Sequence, residues 1–240
     1  MTYDWMAALV FLATLVAMTW IGRLLAFRVP ALQRMRDLNR EADGRKLSRP
    51  RFAEAVAASN KAGLATNLVF YVAVLPFCLS LESRPLWQHA IEIVAVLMLF
   101  DFCYYWTHRL LFHGAPLKKI HALHHQARTP TYIDALYVHP LETAIGLCLF
   151  LLSIPLVAAL SGAPLNAFSM AIATLIFTQV NTINHTFVDL PDFPFKTLDA
   201  LTGLHAAHHI DMSHGNYATL TMLYDRLFGT YEPPVRRTTP

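Results

Sequence analysis

Two stretches of this chain, residues 5–21 and 62–81, run for 17 and 20 residues without a charged side chain. Apolar runs of about 20 residues match the hydrocarbon thickness that a membrane helix must cross. In lipid the backbone has to satisfy its own N–H and C=O groups, which restricts such runs to helices. Residues 86–106 are apolar apart from Glu92 and Asp101, and 143–161 and 165–185 add two further candidates. These last two are separated by Ser161-Gly162-Ala163-Pro164, which reads as a turn. The first run does not read as a cleaved leader, because Asp4 stands where a basic flank would be and no small-residue cleavage site precedes the arginines. The sequence predicts an all-α integral membrane protein with four to five transmembrane helices. Composition agrees: 15% of the 240 residues are charged, against about 25% in soluble domains.

All but Arg84 of the 19 lysines and arginines fall on one side of the five-span arrangement, ten of them between Arg23 and Lys61. The positive-inside rule makes that side cytoplasmic and, with five spans, puts the N-terminus outside. The same sidedness holds for the rest if the last two spans only dip into the membrane. Residues 23–61 are too charged to span; they read equally as an amphipathic helix on the membrane surface or as a solvated loop. The chain divides at this point into 1–61, a first transmembrane helix with a basic cytoplasmic segment, and 62–240, the membrane part that carries all twelve histidines. The tail Arg236-Arg237-Thr238-Thr239-Pro240 reads as frayed. Cys78, Cys103 and Cys148 lack CxxC spacing and are odd in number, so they read as small buried hydrophobes. A net charge of +3 with no basic-aromatic stripe excludes nucleic acid as a partner.

Of the 12 histidines, only His89 lies away from the predicted cytoplasmic side, and it reads as structural. His121-Ala-Leu-His124-His125 and His205-Ala-Ala-His208-His209 are two copies of HxxHH. Positions i, i+3 and i+4 share a helix face, so each copy is expected to aim three imidazoles at one place. His108 and His113 are about 1.4 turns apart and splayed unless the helix unwinds locally; they are expected to reach a metal pair from different sides. Asn181 and His185 share a face at i, i+4. Imidazole is the commonest neutral nitrogen ligand, and the histidines of these motifs exceed the four ligands of one tetrahedral ion. Two metals fit the number. His214 follows a cluster without ligand spacing. Asp101, two turns before His108, and Glu142 and Asp225 are candidate hydrogen-bond partners of the ligands, as is His139. Asp134 and Asp211 read as surface charge, Tyr104-Tyr105-Trp106 as an interfacial aromatic belt, and Glu92 as a functional group or half of a buried pair.

The motifs HRLLFH at 108–113, HALHH at 121–125, HPLE at 139–142 and LHAAHH at 204–209, with the closing stretch from His214 to Thr230, resemble the fatty acid hydroxylase / sterol desaturase superfamily. The resemblance covers residues 86–232. It implies transmembrane helices capped by a cytosolic helical domain with a non-haem di-iron centre. The ligands it implies are His108, His113, His121, His124, His125, His185, His205, His208 and His209. Two iron ions, with zinc able to replace them in purified protein, would act on O2 as co-substrate. The substrate would be a membrane lipid, sterol or fatty acyl or related, that is hydroxylated or desaturated. This chain departs from the family's HxxxH pair by carrying Asn181 before His185, and Asn181 is either a carbonyl ligand or a hydrogen-bonding partner only. Neither GxGxxG nor a haem-binding HPGG is present, so electrons would come from a separate cytochrome b5-like or ferredoxin-like donor. The competing class is a histidine-rich metal transporter or sensor, although transport sites sit near the midplane rather than collecting at one face. A zinc hydrolase would need HExxH, which is absent, and a haem cytochrome would not need so many histidines.

Overall fold

A computed structural model describes residues 2–240. Helix α1 (Trp5–Ala26) starts where the Asp4 carboxylate accepts the Ala7 N–H at 2.9 Å. Helices α2 (Pro30–Leu47) and α3 (Pro50–Ala73) each open on a proline, whose missing N–H would have no partner there anyway. A short α4 (Leu75–Cys78) leads through strand β1 (Leu79–Ser80) to α5 (Leu86–Thr107), which continues as a π-helical turn, His108–Phe112. A polar stretch follows, with α6 (Lys118–His121) and 3-10 turns at His124–Gln126 and Tyr132–Leu136. Helix α7 (Pro140–Ser161) ends on Gly162 at φ 72°, a left-handed terminus that glycine adopts without strain. Strand β2 (Leu165–Asn166) pairs in parallel with β1, and the Asn166 side chain caps α8 (Ala167–His185). Helices α9 (Lys196–His208) and α10 (Leu223–Leu227) complete the chain.

Three helices are long and apolar enough to cross a membrane: Trp5–Ala26, Leu86–Phe112 and Pro140–Ser161. The expected span at 62–81 is not one helix. Helix α3 starts earlier, at Pro50, and the chain breaks at Val74 before Pro76, which cannot continue a helical hydrogen-bond ladder. It also runs without interruption through residue 61, where the sequence suggested a division. The expected span at 165–185 corresponds to α8, whose second half carries Thr178, Gln179, Asn181, Thr182 and Asn184. Helix α8 lies inside the bundle, against α1, α5 and α9, while α7 packs on α3 and α5. The core is knit by aromatic rings: Phe150 stacks on Phe177 at 4.1 Å, and Phe100 meets both edge-on at 5.7 and 4.9 Å, arrangements that suit the ring quadrupoles. Leu64, Leu68, Trp87 and Leu160 point outward, as lipid-facing residues would.

Helices α5 and α8 run toward one end of the bundle and α7 runs back from it, which brings His108, His185 and Glu142 together. The opposite end is closed by a buried ion pair between Arg84 and Glu92. Arg84 also donates to the Pro164 carbonyl at 2.6 Å, and Glu92 accepts the Asn166 N–H at 3.1 Å. Glu92 is thus half of a buried pair that ties the two loops together. His89 bonds Ser169 beside it at 2.7 Å.

Several surface expectations are corrected. Residues 30–47 form a helix whose Met35, Asn39, Ala42 and Asp43 are buried against protein. Asp134 is fully buried, caps its own 3-10 turn with Thr131 and pairs with Lys46. Arg237 is anchored on the carbonyls of Pro130 and Thr186, so the tail is not frayed there. Tyr105 is not in an interfacial belt; it is fully buried, stacked on Phe228. Of the cysteines, only Cys78 is buried.

Replacing Glu92 by Ala leaves the Arg84 guanidinium buried without its carboxylate. The expected loss is about 3–5 kcal/mol, read as a lowered thermal midpoint of the protein in detergent; an unchanged midpoint would show the pair to be idle.

Candidate metal centre

The histidine end is built on a local distortion. The His113 N–H donates to the His108 carbonyl at 2.9 Å, an i→i+5 bond. This widened turn brings residues five apart onto one face, and the two rings lie 5.0 Å apart. His108 and His113 therefore enter the same cluster rather than approaching from different sides. Single π turns inside α-helices recur at functional sites.

Nine imidazoles form two groups, each with ligand atoms all within 4.8 Å of one another: His108, His113, His121, His125 and His208 in the first, and His124, His185, His205 and His209 in the second. The HxxHH copies do not each serve one place. His121 and His125 join the first group while His124 joins the second; His205 and His209 join the second while His208 joins the first. The pair at i, i+4 shares one direction, and the i+3 residue is rotated away from it. The two segments cross, each giving two ligands to one group and one to the other.

The ring nitrogens have divided roles. Nδ1–H of His108 donates to the Tyr217 carbonyl at 2.7 Å, that of His113 to Met212 at 2.9 Å, and that of His208 to Gly215 at 2.6 Å. His124 donates to Tyr137 at 3.3 Å and His185 to Asn181 at 2.9 Å. His121 faces Glu142 at 2.6 Å. With Nδ1 protonated, Nε2 holds the lone pair. Those lone pairs converge. Nε2–Nε2 distances are 3.1 Å for His108–His121, 3.0 Å for His121–His125 and 3.1 Å for His125–His208. In the second group they are 3.1 Å for His124–His185, 2.9 Å for His185–His205 and 3.0 Å for His205–His209. In the pairs His108–His121 and His124–His185, where both outer nitrogens face an acceptor, the two inner nitrogens are both acceptors and cannot hydrogen-bond each other. Nitrogens at right angles on a metal with bonds of about 2.1 Å would be about 3.0 Å apart. His113 Nε2 is buried without a hydrogen-bond partner in the same place. The residues present fit a pair of metal ions.

Burial keeps these rings neutral. It pushes His113 down to about 4 and His121 and His124 down to about 3. His125, His205, His208 and His209 are lowered far below the ordinary histidine value, first by burial and then by their neighbours. Neutral imidazole is the form that binds metal.

Of the expected partners of the ligands, only Glu142 touches an imidazole directly. Asp101 instead accepts the N–H groups of Thr219, Leu220 and Thr221 at 3.1, 2.9 and 3.1 Å. Asp225 accepts Tyr217 and Ala218, both at 2.8 Å, which aims the Tyr217 carbonyl at His108. His139 caps α7 by accepting the Leu141 N–H and lies outside both groups. Asn181 meets His185 through its backbone carbonyl. His214 pairs with Asp211 at the surface. The carbonyl partners, of Tyr137, Met212, Gly215 and Tyr217, were missed by sequence reasoning, since every residue has a carbonyl and no side chain marks them. Gly215 gives a partial signal: a Cβ there would lie 1.9 Å from the Thr230 oxygen.

Fold and site together define a helical protein with membrane-length helices and a buried nine-histidine cluster able to hold metal. Residues 93–230 match the fatty acid hydroxylase family, and the chain belongs to that family, within the fatty acid hydroxylase / sterol desaturase superfamily. It is similar to methylsterol monooxygenase 1 of Rattus norvegicus, 32% identical over 62% of this chain and 50% of the relative. It is also similar to the ornithine lipid hydroxylase OlsE of Rhizobium tropici, 30% identical over 62% of this chain and 44% of the relative. Fatty acid hydroxylase domain-containing protein 2 of Homo sapiens is 31% identical over 58% of this chain and 38% of its own length. The chain spans about half the length of the first of these curated relatives. No solved structure matches it.

The crossing of the two HxxHH segments has a distinctive consequence. His124→Ala combined with His205→Ala removes two ligands from one group and should leave the other metal bound, whereas His124→Ala combined with His125→Ala damages both groups. Metal analysis of the purified double variants distinguishes the two; equal losses would mean that the groups are not separate sites.

Proposed function

We propose that this chain is a membrane-bound, O2-dependent non-haem di-iron oxygenase that hydroxylates or desaturates a C–H bond of a lipid, drawing electrons from a separate donor protein. The observation that carries this reading is the convergence of nine imidazoles in two groups at one end of membrane-length helices. Bound iron with O2 supplies the oxidising power that no amino-acid side chain has. The chain's own residues do the rest. His108, His113, His121, His125 and His208 would hold one ion; His124, His185, His205 and His209 would hold the other. The second group has one imidazole fewer, and Asn181, one turn before His185, is its proposed oxygen donor. Glu142 orients His121 and raises its basicity, and the carbonyls of Tyr217, Met212, Gly215 and Tyr137 do the same for their rings.

Burial of the cluster excludes water, and its place at the end of the bundle suits a lipid arriving from the bilayer. The relatives named for methylsterol and ornithine lipid support a lipid substrate. Under the positive-inside rule this end faces the cytoplasm, where a cytochrome b5-like or ferredoxin-like donor would be met. A transporter is less well supported. Among the described residues, the groups with converging metal-type ligands are these two adjacent ones, at helix ends, whereas transport sites sit on broken helices near mid-membrane.

Purified protein should contain about two irons per chain. Lipid extracts of cells expressing it should gain a species heavier by one oxygen, or lighter by two hydrogens, that is missing with His208→Ala. Iron absent after anaerobic reconstitution, or identical lipid profiles with wild type and His208→Ala, would refute the reading.

A further inference from the structure

Helix α2 presents Met35, Asn39, Asp43 and Lys46 at spacings of four, four and three, which places them on one face. That face is not turned to a membrane or to solvent; it grips two loops. Asn39 bonds both polar groups of one residue in the loop after α8: its Nδ2 donates to the Phe187 carbonyl at 2.8 Å and its Oδ1 accepts the Phe187 N–H at 2.9 Å. The same Oδ1 accepts the Tyr132 N–H at 3.2 Å, so one side chain joins the loop behind His185 to the loop behind His124 and His125. Asp43 accepts the Thr131 hydroxyl at 2.7 Å and the Ile133 N–H at 3.2 Å. Lys46 donates to the Thr129 carbonyl at 3.0 Å and pairs with Asp134. Independently, the Arg237 guanidinium bridges the same two loops, donating to the Pro130 carbonyl at 2.7 Å and the Thr186 carbonyl at 2.8 Å. It lies against the Phe187 ring at 5.5 Å.

We infer that Asn39 and Arg237 are positioning residues for the second histidine group, acting as two cross-ties that hold His124 and His185 in register. This rests on the dimetal reading above. The argument is one of anchorage. In the first group His108 opens the π turn that continues α5 and His113 follows it, His121 and His208 end α6 and α9, and His125 lies in the 3-10 turn beside His124. In the second, His185 is the last residue of α8 and His124 opens a 3-10 turn. The chain leaves α8 directly after His185 and leaves the 3-10 turn two residues after His124, in both places toward the loops that Asn39 and Arg237 join; two of the four ligands here lie on tied segments, against one of five, His125, in the first group. A buried amide that pairs with a peptide group in both directions fixes position and orientation together, as a strand neighbour would. Asn39 is almost wholly buried at 2% exposure, so its bonds face no competition from solvent.

The test is release of metal to a chelator from the full-length protein, loaded with iron anaerobically. Wild type should lose its two ions slowly. Asn39→Ala should lose one of the two about tenfold faster or more, with the other accelerated distinctly less, in line with the effect of removing an outer-shell partner. Arg237→Ala should act on the same ion. Asn39→Asp, which keeps the acceptor oxygen and loses the donor, should fall between wild type and Asn39→Ala, and it carries the test if Asn39→Ala does not fold. Phe70→Ala, in the apolar core, should lower thermal stability without separating the two release rates, which distinguishes positioning from general loosening. Wild-type rates for both ions in Asn39→Ala and Arg237→Ala, or equal acceleration of both ions, would overturn the inference. A wild-type protein that binds no iron would instead refute the dimetal reading itself, and this inference with it.

Discussion

The structure depends on keeping nine imidazoles neutral and facing one another inside a protein. An isolated imidazole in such a place would be an unpaired polar group, and burying one is unfavourable. Here the inner nitrogens meet around two shared points, and six of the nine outer nitrogens face a carbonyl or Glu142. A cation at each point of convergence would be a shared partner for those inner nitrogens. The fold's irregular features can be read as answers to that demand. The π turn brings His113 round to His108; the tight 3-10 turn sends His124 away from His125; the left-handed Asn216 at φ 58° follows the carbonyl that receives His208.

A second layer holds the carbonyls themselves. Asp225 fixes the Tyr217 and Ala218 amides, and Asp101, from the middle of α5, gathers three successive amides of residues 219–221. These carboxylates are buried, yet they sit among N–H donors, which satisfy their oxygens without a cation. The closing stretch of the chain is thus pinned to a membrane helix by acid-to-backbone bonds. Loops pinned in such a layer have little freedom to let the ligand rings rotate.

Much of the site was legible because metal ligation needs particular side chains at particular spacings. HxxHH, its repeat and HxxxxH name all of the converging histidines except His185, which shares its helix with Asn181. What the spacing did not convey was direction. Ideal helical geometry suggests that i, i+3 and i+4 point together, whereas the observed segments split two and one because the i+3 residue is offset and the backbone leaves the α form beside it. The membrane helices were legible from hydropathy, but their ends were not. Pro76 breaks one expected span, and polar residues in α8 mark a helix shielded by its neighbours. Arg237 in the tail and Asn39 in the charged segment 23–61 gave no sign of burial because their partners are backbone atoms of loops far away in sequence, and Asp134 gave none because its cation, Lys46, is equally distant; no local pattern records such contacts.

His124 and His125 are neighbours in the chain, as are His208 and His209, and in each pair the two rings go to different groups. Adjacent Cα atoms are about 3.8 Å apart across a trans peptide, a length that no substitution alters. The separation between the two centres is therefore gauged twice over by single peptide units, from two segments on opposite sides. A displacement of one segment would meet resistance from the other, so the two groups can change their rings' tilt but hardly their spacing. Such a built-in ruler lets loops and spans diverge widely around the cluster while the interval between its halves stays constant.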